Sequence, residues 1–179
     1  MISESKANLI TATAKVAQQH GVQHLTLEAV AQAAGVSKGG LLYHYPTKDH
    51  LLIALTEYAI AAFRDALNRH HAAGASLHEA YVLATQDGLA SEEHLMHHSS
   101  GLLLAAASSH EALALWHTEY AQLAALLAAE PVEKPISLLV QTACDGVWFQ
   151  AVLGQHEHPA ANLGLVLQAL LQVLRTEIM

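Results

Sequence analysis

The sequence predicts an all-α chain, on three observations. Of 179 residues, 53% are apolar but only 5% aromatic, so the core must be built largely from Ala and Leu, the strongest apolar helix formers. Only four prolines interrupt it. Apolar residues recur at helical rather than alternating spacing along most of its length. So apolar a chain is not disordered, and its single cysteine excludes a disulfide framework or a multi-cysteine zinc site. No charged leader with a short apolar core opens it. The charge-free stretch from His158 to Leu174 carries Pro159, Asn162, Gln168 and Gln172, which suit a bilayer poorly. A cytoplasmic protein with no membrane contact is expected.

The first helix spans 4–19, with Leu9, Ile10, Ala12, Thr13, Val16 and Ala17 near 3.6-residue spacing, and Gly21 ends it. Thr26 caps a second, two-turn helix carrying Leu27, Val30, Ala31 and Ala34, which Gly35 breaks. Ser37 caps a third that reaches Tyr45, where Pro46 stops it. Thr47 caps a longer fourth helix, 47–71, whose apolar face includes Leu51, Leu52, Leu55, Tyr58, Ala59, Ala62 and Phe63. Small Ala31 at a helix crossing, Gly35 for a left-handed turn and Leu41 as an anchor together specify a helix-turn-helix.

The third helix reads Ser37-Lys38-Gly39-Gly40-Leu41-Leu42-Tyr43-His44-Tyr45. Two glycines cost a helix about 1 kcal/mol each against alanine, with no structural return. A helix whose backbone must come close to a DNA groove does gain from the missing side chains. Charge is divided in the same sense. Residues 1–50 carry four lysines against Glu4, Glu28 and Asp49, a balance of +1, whereas the remainder stands at −9 within a net −8.

Three segments together carry a family resemblance. They are Thr26-Leu27-Glu28-Ala29-Val30-Ala31, then Gly35-Val36-Ser37-Lys38-Gly39-Gly40-Leu41, then His44-Tyr45-Pro46-Thr47-Lys48-Asp49. Over about residues 5–60 the chain resembles, without gaps, the DNA-binding domain of the TetR/AcrR family of bacterial transcriptional regulators. The resemblance implies an all-α homodimer, usually a repressor, with an N-terminal three-helix DNA-binding domain (1–50) and a C-terminal helical domain (51–179) for effector binding and dimerisation. It implies that Thr26 and Ser37 contact phosphates, that Lys38, Gly39, Gly40, Tyr43 and His44 face the major groove, and that Lys48 contacts the backbone. Leu42 departs from the pattern, since many members place an aromatic there. Gly35-Val36-Ser37-Lys38-Gly39 also fits the G-x-S-x-G of a hydrolase, but that chemistry needs a preceding strand and here a helix precedes it.

Beyond the fourth helix, further helices are expected near 76–88, 91–107, 109–129, 134–154 and 160–177. The last two are apolar nearly all round. Ile136, Leu139, Val140, Ala143 and Val147 form one stripe, and the final helix carries Leu163, Leu165, Val166, Leu167, Leu170, Leu171, Val173 and Leu174. Helices without a wet side need burial on both sides, most simply in a four-helix bundle across a two-fold axis. Such a dimer would face a palindromic double-stranded operator.

An effector pocket is expected among Phe63, Tyr81, Met96, Trp116, Tyr120, Trp148 and Phe149. Asp145, mid-helix among Ala143, Cys144, Val147 and Trp148, needs a partner. Two roles fit it: pairing with a polar group inside the dimer, or meeting a cationic or hydrogen-bonding ligand. Glu92 and Glu93 would add negative potential, so a cationic or amphipathic small-molecule effector is preferred. His94, His97 and His98, and His156-Glu157-His158, raise the question of metal, but no C-x-x-C, H-E-x-x-H or Glu-x-x-His motif is present. Neither a cofactor nor catalysis is expected. The alternative is a helical metal- or small-molecule-binding protein whose helix-turn-helix is not used on specific DNA.

Overall fold

A computed structural model describes residues 4–21, 24–90, 109–152 and 160–177. Among them are eight helices and no strand: α1 (Glu4–His20), α2 (Leu27–Ala34), α3 (Lys38–His44), α4 (Lys48–Ala72), α5 (Leu77–Ala90), α6 (His110–Leu127), α7 (Lys134–Val152) and α8 (Ala160–Glu177). Each lies within two residues of its expected bounds. The helix expected at 91–107 lies outside the described residues, as do Glu92, Glu93, Met96 and the histidines at 94, 97, 98, 156 and 158. No helix among the described residues is long and apolar enough to cross a membrane.

The chain forms two compact units. Among the described residues, the first comprises those up to Ile60 together with 109–118, and the second comprises 61–90 and those from Glu119 onward.

In the first unit α1 packs on α2 and α2 on α3. Leu9, Ile10, Leu25, Val30, Leu41, Leu51, Leu52 and Leu55 are almost wholly buried. Each such side chain stabilises the fold by about 1.5–3 kcal/mol. Gly35 sits at φ +68°, where an L side chain is strained, and its turn is closed by Val36 N–H donating to the Ala31 carbonyl at 3.0 Å.

In the second unit α5 is the central element, packed on both α7 and α8, which also pack on each other. It buries Tyr81, Val82, Ala84, Thr85 and Gly88. Its start is doubly capped. Ser76 and Glu79 exchange side-chain to backbone bonds of 3.0 and 3.2 Å, and Glu130 accepts from the amides of Leu77 at 2.8 Å and His78 at 3.2 Å. Near its end, α5 meets Trp148 so closely that a Cβ on Gly88 would lie 2.3 Å from the Trp148 Cη2 atom.

Helices α7 and α8 divide their apolar surface. Val140, Cys144 and Val147, with Leu163, Leu167, Leu170 and Leu174, form the inner core. Leu138, Leu139, Phe149, Leu165 and Val166 face outward from the chain. Leu139, expected on the stripe of Val140 and Val147, is 49% exposed. The inward stripe steps 140, 144, 147, and residue 139 lies about 100° off its first member.

Candidate functional site

The helix-turn-helix is assembled by two side-chain caps. Thr26 is extended and its hydroxyl accepts from the Ala29 amide at 3.1 Å. Ser37 does the same for Gly40, also at 3.1 Å. In each case the hydroxyl spends a lone pair on the cap and keeps its proton for an outside acceptor. Leu41 is completely buried, which sets the rotation of α3. The opposite face then turns outward: Ser37, Lys38, Gly39, Gly40 and Leu42 are exposed, and Tyr43 is 85% exposed.

Gly39 is not required for packing, whereas Gly40 stands close to the Ser37 cap. A Cβ on Gly39 would meet nothing within 4 Å, and one on Gly40 only the Ser37 Oγ at 3.3 Å. Tyr43 makes an edge contact with His44 at 5.0 Å between ring centroids, and His44 Nε2 lies 3.5 Å from the Ser5 hydroxyl. Tyr45, buried at the end of α3, donates its amide to Leu41. Thr47 accepts from the His50 amide at 3.3 Å and so caps α4, in whose first turn Lys48 stands half-buried. One contact has no local sequence signal. The Lys38 ammonium is paired with the Glu28 carboxylate of α2.

The second unit holds a polar and aromatic cluster. The Tyr120 hydroxyl donates to Asp145 Oδ1 at 2.9 Å, linking α6 to α7. Burial raises the Asp145 carboxyl above its ordinary value, and the Tyr120 bond only partly offsets this. Burial also pushes Cys144 up to about 12, and holds the phenols of Tyr81 and Tyr120 protonated. Phe63 and Tyr81 meet edge to face at 5.1 Å. Beside them Arg64 of α4 donates through Nε and a terminal nitrogen to the buried carboxylate of Glu119, and to Gln122 at 3.1 Å.

The expected pocket residues are therefore distributed. Tyr81, Tyr120, Asp145 and Phe63 belong to this unit, with Trp148 seated against Gly88. Phe149 is 52% exposed, and Trp116 is buried within the first unit. Met96 lies outside the described residues. The Arg64–Glu119 pair escapes sequence reasoning because its members are 55 residues apart. Among the described residues no cluster of three or more His, Cys, Asp or Glu could hold a metal.

Comparison with known proteins bears on both units. Residues 9–55 match the bacterial regulatory proteins of the tetR family, and residues 75–175 match the tetracyclin repressor-like C-terminal domain. The chain belongs to the TetR family. Members of the TetR family are ligand-responsive, DNA-binding transcriptional regulators, mostly repressors, and this chain shares that general role. The HTH-type transcriptional regulator RutR of Escherichia coli strain K12 is 39% identical over 54 residues, which is 30% of this chain and 26% of RutR. The match thus spans about a quarter of that relative.

Solved TetR-like structures share the fold over nearly the whole chain. A TetR-family member from Streptomyces coelicolor A3 has a TM-score of 0.71 at 24% identity, covering 93% of this chain and 98% of its own. The multidrug binding protein EbrR complexed with malachite green has a TM-score of 0.69 at 23% identity, with the same coverage.

Proposed function

We propose that two copies of this chain hold a palindromic operator and release it when a cationic or amphipathic small molecule occupies the site beside Asp145. One observation carries the DNA half of this reading. α3 presents Lys38, Gly39, Gly40 and Tyr43 to the outside, and the chain's own packing does not need a glycine at 39. Thr26, Ser37, His44 and Lys48 complete the contact set, the two hydroxyls and the Lys48 ammonium to phosphate, and His44 with the rest of the α3 face to the major groove. The test is selection of bound duplexes from a genomic pool by the purified protein at two salt concentrations. A short palindrome with a steep salt dependence is expected, and no enriched site would defeat the reading.

The outward apolar faces of α7 and α8 support the dimer. Leu165, 61% exposed, and Val166, Leu138, Leu139 and Phe149 offer a surface that water does not favour. Leu165→Glu would place like charges on both sides of a two-fold contact. It should weaken dimerisation about 100-fold or more while leaving the far-ultraviolet circular dichroism unchanged, as light scattering over a concentration series would show.

The effector half rests on Asp145, a half-buried carboxylate whose described hydrogen bond comes from a neutral phenol, leaving its charge available to a cation. EbrR has been seen with malachite green and ethidium, both aromatic cations. Repression is proposed because TetR-family members are mostly repressors, and release needs only that the effector bind better to the state that does not fit the operator.

Asp145→Asn keeps an acceptor for Tyr120 and removes the charge. Because the folded carboxyl titrates above its ordinary 3.8, ionisation costs stability that the unfolded chain does not lose. The variant should melt higher than wild type at neutral pH, with the gap closing as pH falls through the folded value towards 3.8, as calorimetry would show. Its affinity for a dye cation such as ethidium should fall about tenfold.

A further inference from the structure

We infer that Glu28 limits the affinity of this protein for DNA by occupying the Lys38 ammonium, which would otherwise turn to the operator. The inference rests on the proposal that Lys38 lies at the DNA face, and adds to it a residue that does not itself contact DNA.

Lys38 opens α3 and Glu28 lies in the first turn of α2, ten residues apart and on different helices. Their side chains, 57% and 62% exposed, are in direct hydrogen-bonded contact. The Lys38 hydrogen bond, with a backbone bond and the ammonium charge, holds the Glu28 carboxyl below its ordinary range, so it is ionised wherever DNA is bound. Both groups are solvated, so the pair is exchangeable rather than a structural lock. The first fifty residues have only four lysines, and Glu28 neutralises one of the four.

The consequence is a matter of counting ions. When an unpaired lysine meets DNA, a counterion leaves the duplex, and that release drives binding. When Lys38 must first leave Glu28, the cation freed from the DNA is offset by one attracted to the bared carboxylate. The contact then forms with little net ion release. Glu28 therefore makes binding weaker and less salt-sensitive than the lysine count alone implies.

The experiment measures affinity by fluorescence anisotropy at several salt concentrations. The probes are a random-sequence duplex long enough for both half-sites and the duplex selected by the wild-type protein. Glu28→Gln, Lys38→Met and the double variant are compared with wild type, with melting curves to confirm folding. Glu28→Gln should bind about 1.5- to 5-fold more tightly per half-site. Its log–log salt slope should steepen by about 0.9 per half-site. Both effects should vanish in the Lys38→Met background.

Weaker binding by Glu28→Gln would overturn the inference, since Glu28 would then be orienting Lys38 for contact. A gain that persists without Lys38 would also overturn it, since Glu28 would then act by general repulsion of DNA. Absence of salt-dependent binding by the wild type would instead remove the DNA-contact reading, and the inference with it.

Discussion

Gly39→Leu should yield a protein that is more stable to heat and unable to select its operator. The two effects separate because they arise on opposite sides of α3. Within the chain a Cβ at 39 meets no neighbour and the position is exposed, so the substitution gains helix propensity of about 0.5–1 kcal/mol at little steric cost. On the outer face the same side chain holds the α3 backbone away from the groove floor. The contacts it displaces are worth about 1–3 kcal/mol per half-site, so operator affinity should fall by at least tenfold and by far more in a two-site complex. Thermal melting and operator titration on one preparation check both halves. Unchanged operator affinity would remove Gly39 from the interface.

Glu130→Ala should cost about 2–4 kcal/mol of stability, the sum of several buried donors left without acceptors. Its carboxylate accepts from the Leu77 and His78 amides and lies 2.8 Å from the His78 Nδ1 atom. His78 is completely buried, and its Nε2 has no hydrogen-bond partner among the described residues, so losing Glu130 isolates the whole ring. Glu130 also gives the fold a defined acid response. Burial acts to raise its carboxyl, but the bonds from Leu77 and His78 outweigh burial and hold it below the ordinary 4.5. A depressed acid stabilises the folded state above its unfolded value, and that contribution is lost as pH falls below 4.5 and through the folded value. Denaturation midpoints from pH 7 down to 3 should fall less steeply in Glu130→Ala than in wild type. Parallel curves would show that other carboxylates carry the acid transition.

The helix-turn-helix was readable from sequence because its determinants are local. Thr26 and Ser37 each cap an amide three residues on, Gly35 alone tolerates the turn's positive φ, and Leu41 anchors the helix that follows them. Sequence patterns report such short-range requirements faithfully. The same holds for the apolar α7 and α8, where composition announces two buried faces. It does not say which residue serves which face, and the structure separates Leu139, which faces outward, from Val140 and Val147 of the same expected stripe.

By itself, then, the sequence determined the helical class, the order of the helices and the outward α3 surface with its two glycines. All of these follow from hydrophobic period, capping and backbone propensity within a few residues of one another. Only the tertiary structure decided that Asp145 meets Tyr120, Glu119 meets Arg64, Glu130 clamps the start of α5, and Glu28 occupies Lys38. These are pairings between groups 10 to 55 residues apart. A carboxylate is drawn to any cation or hydrogen-bond donor, and only the packing of helices brings one particular partner within reach.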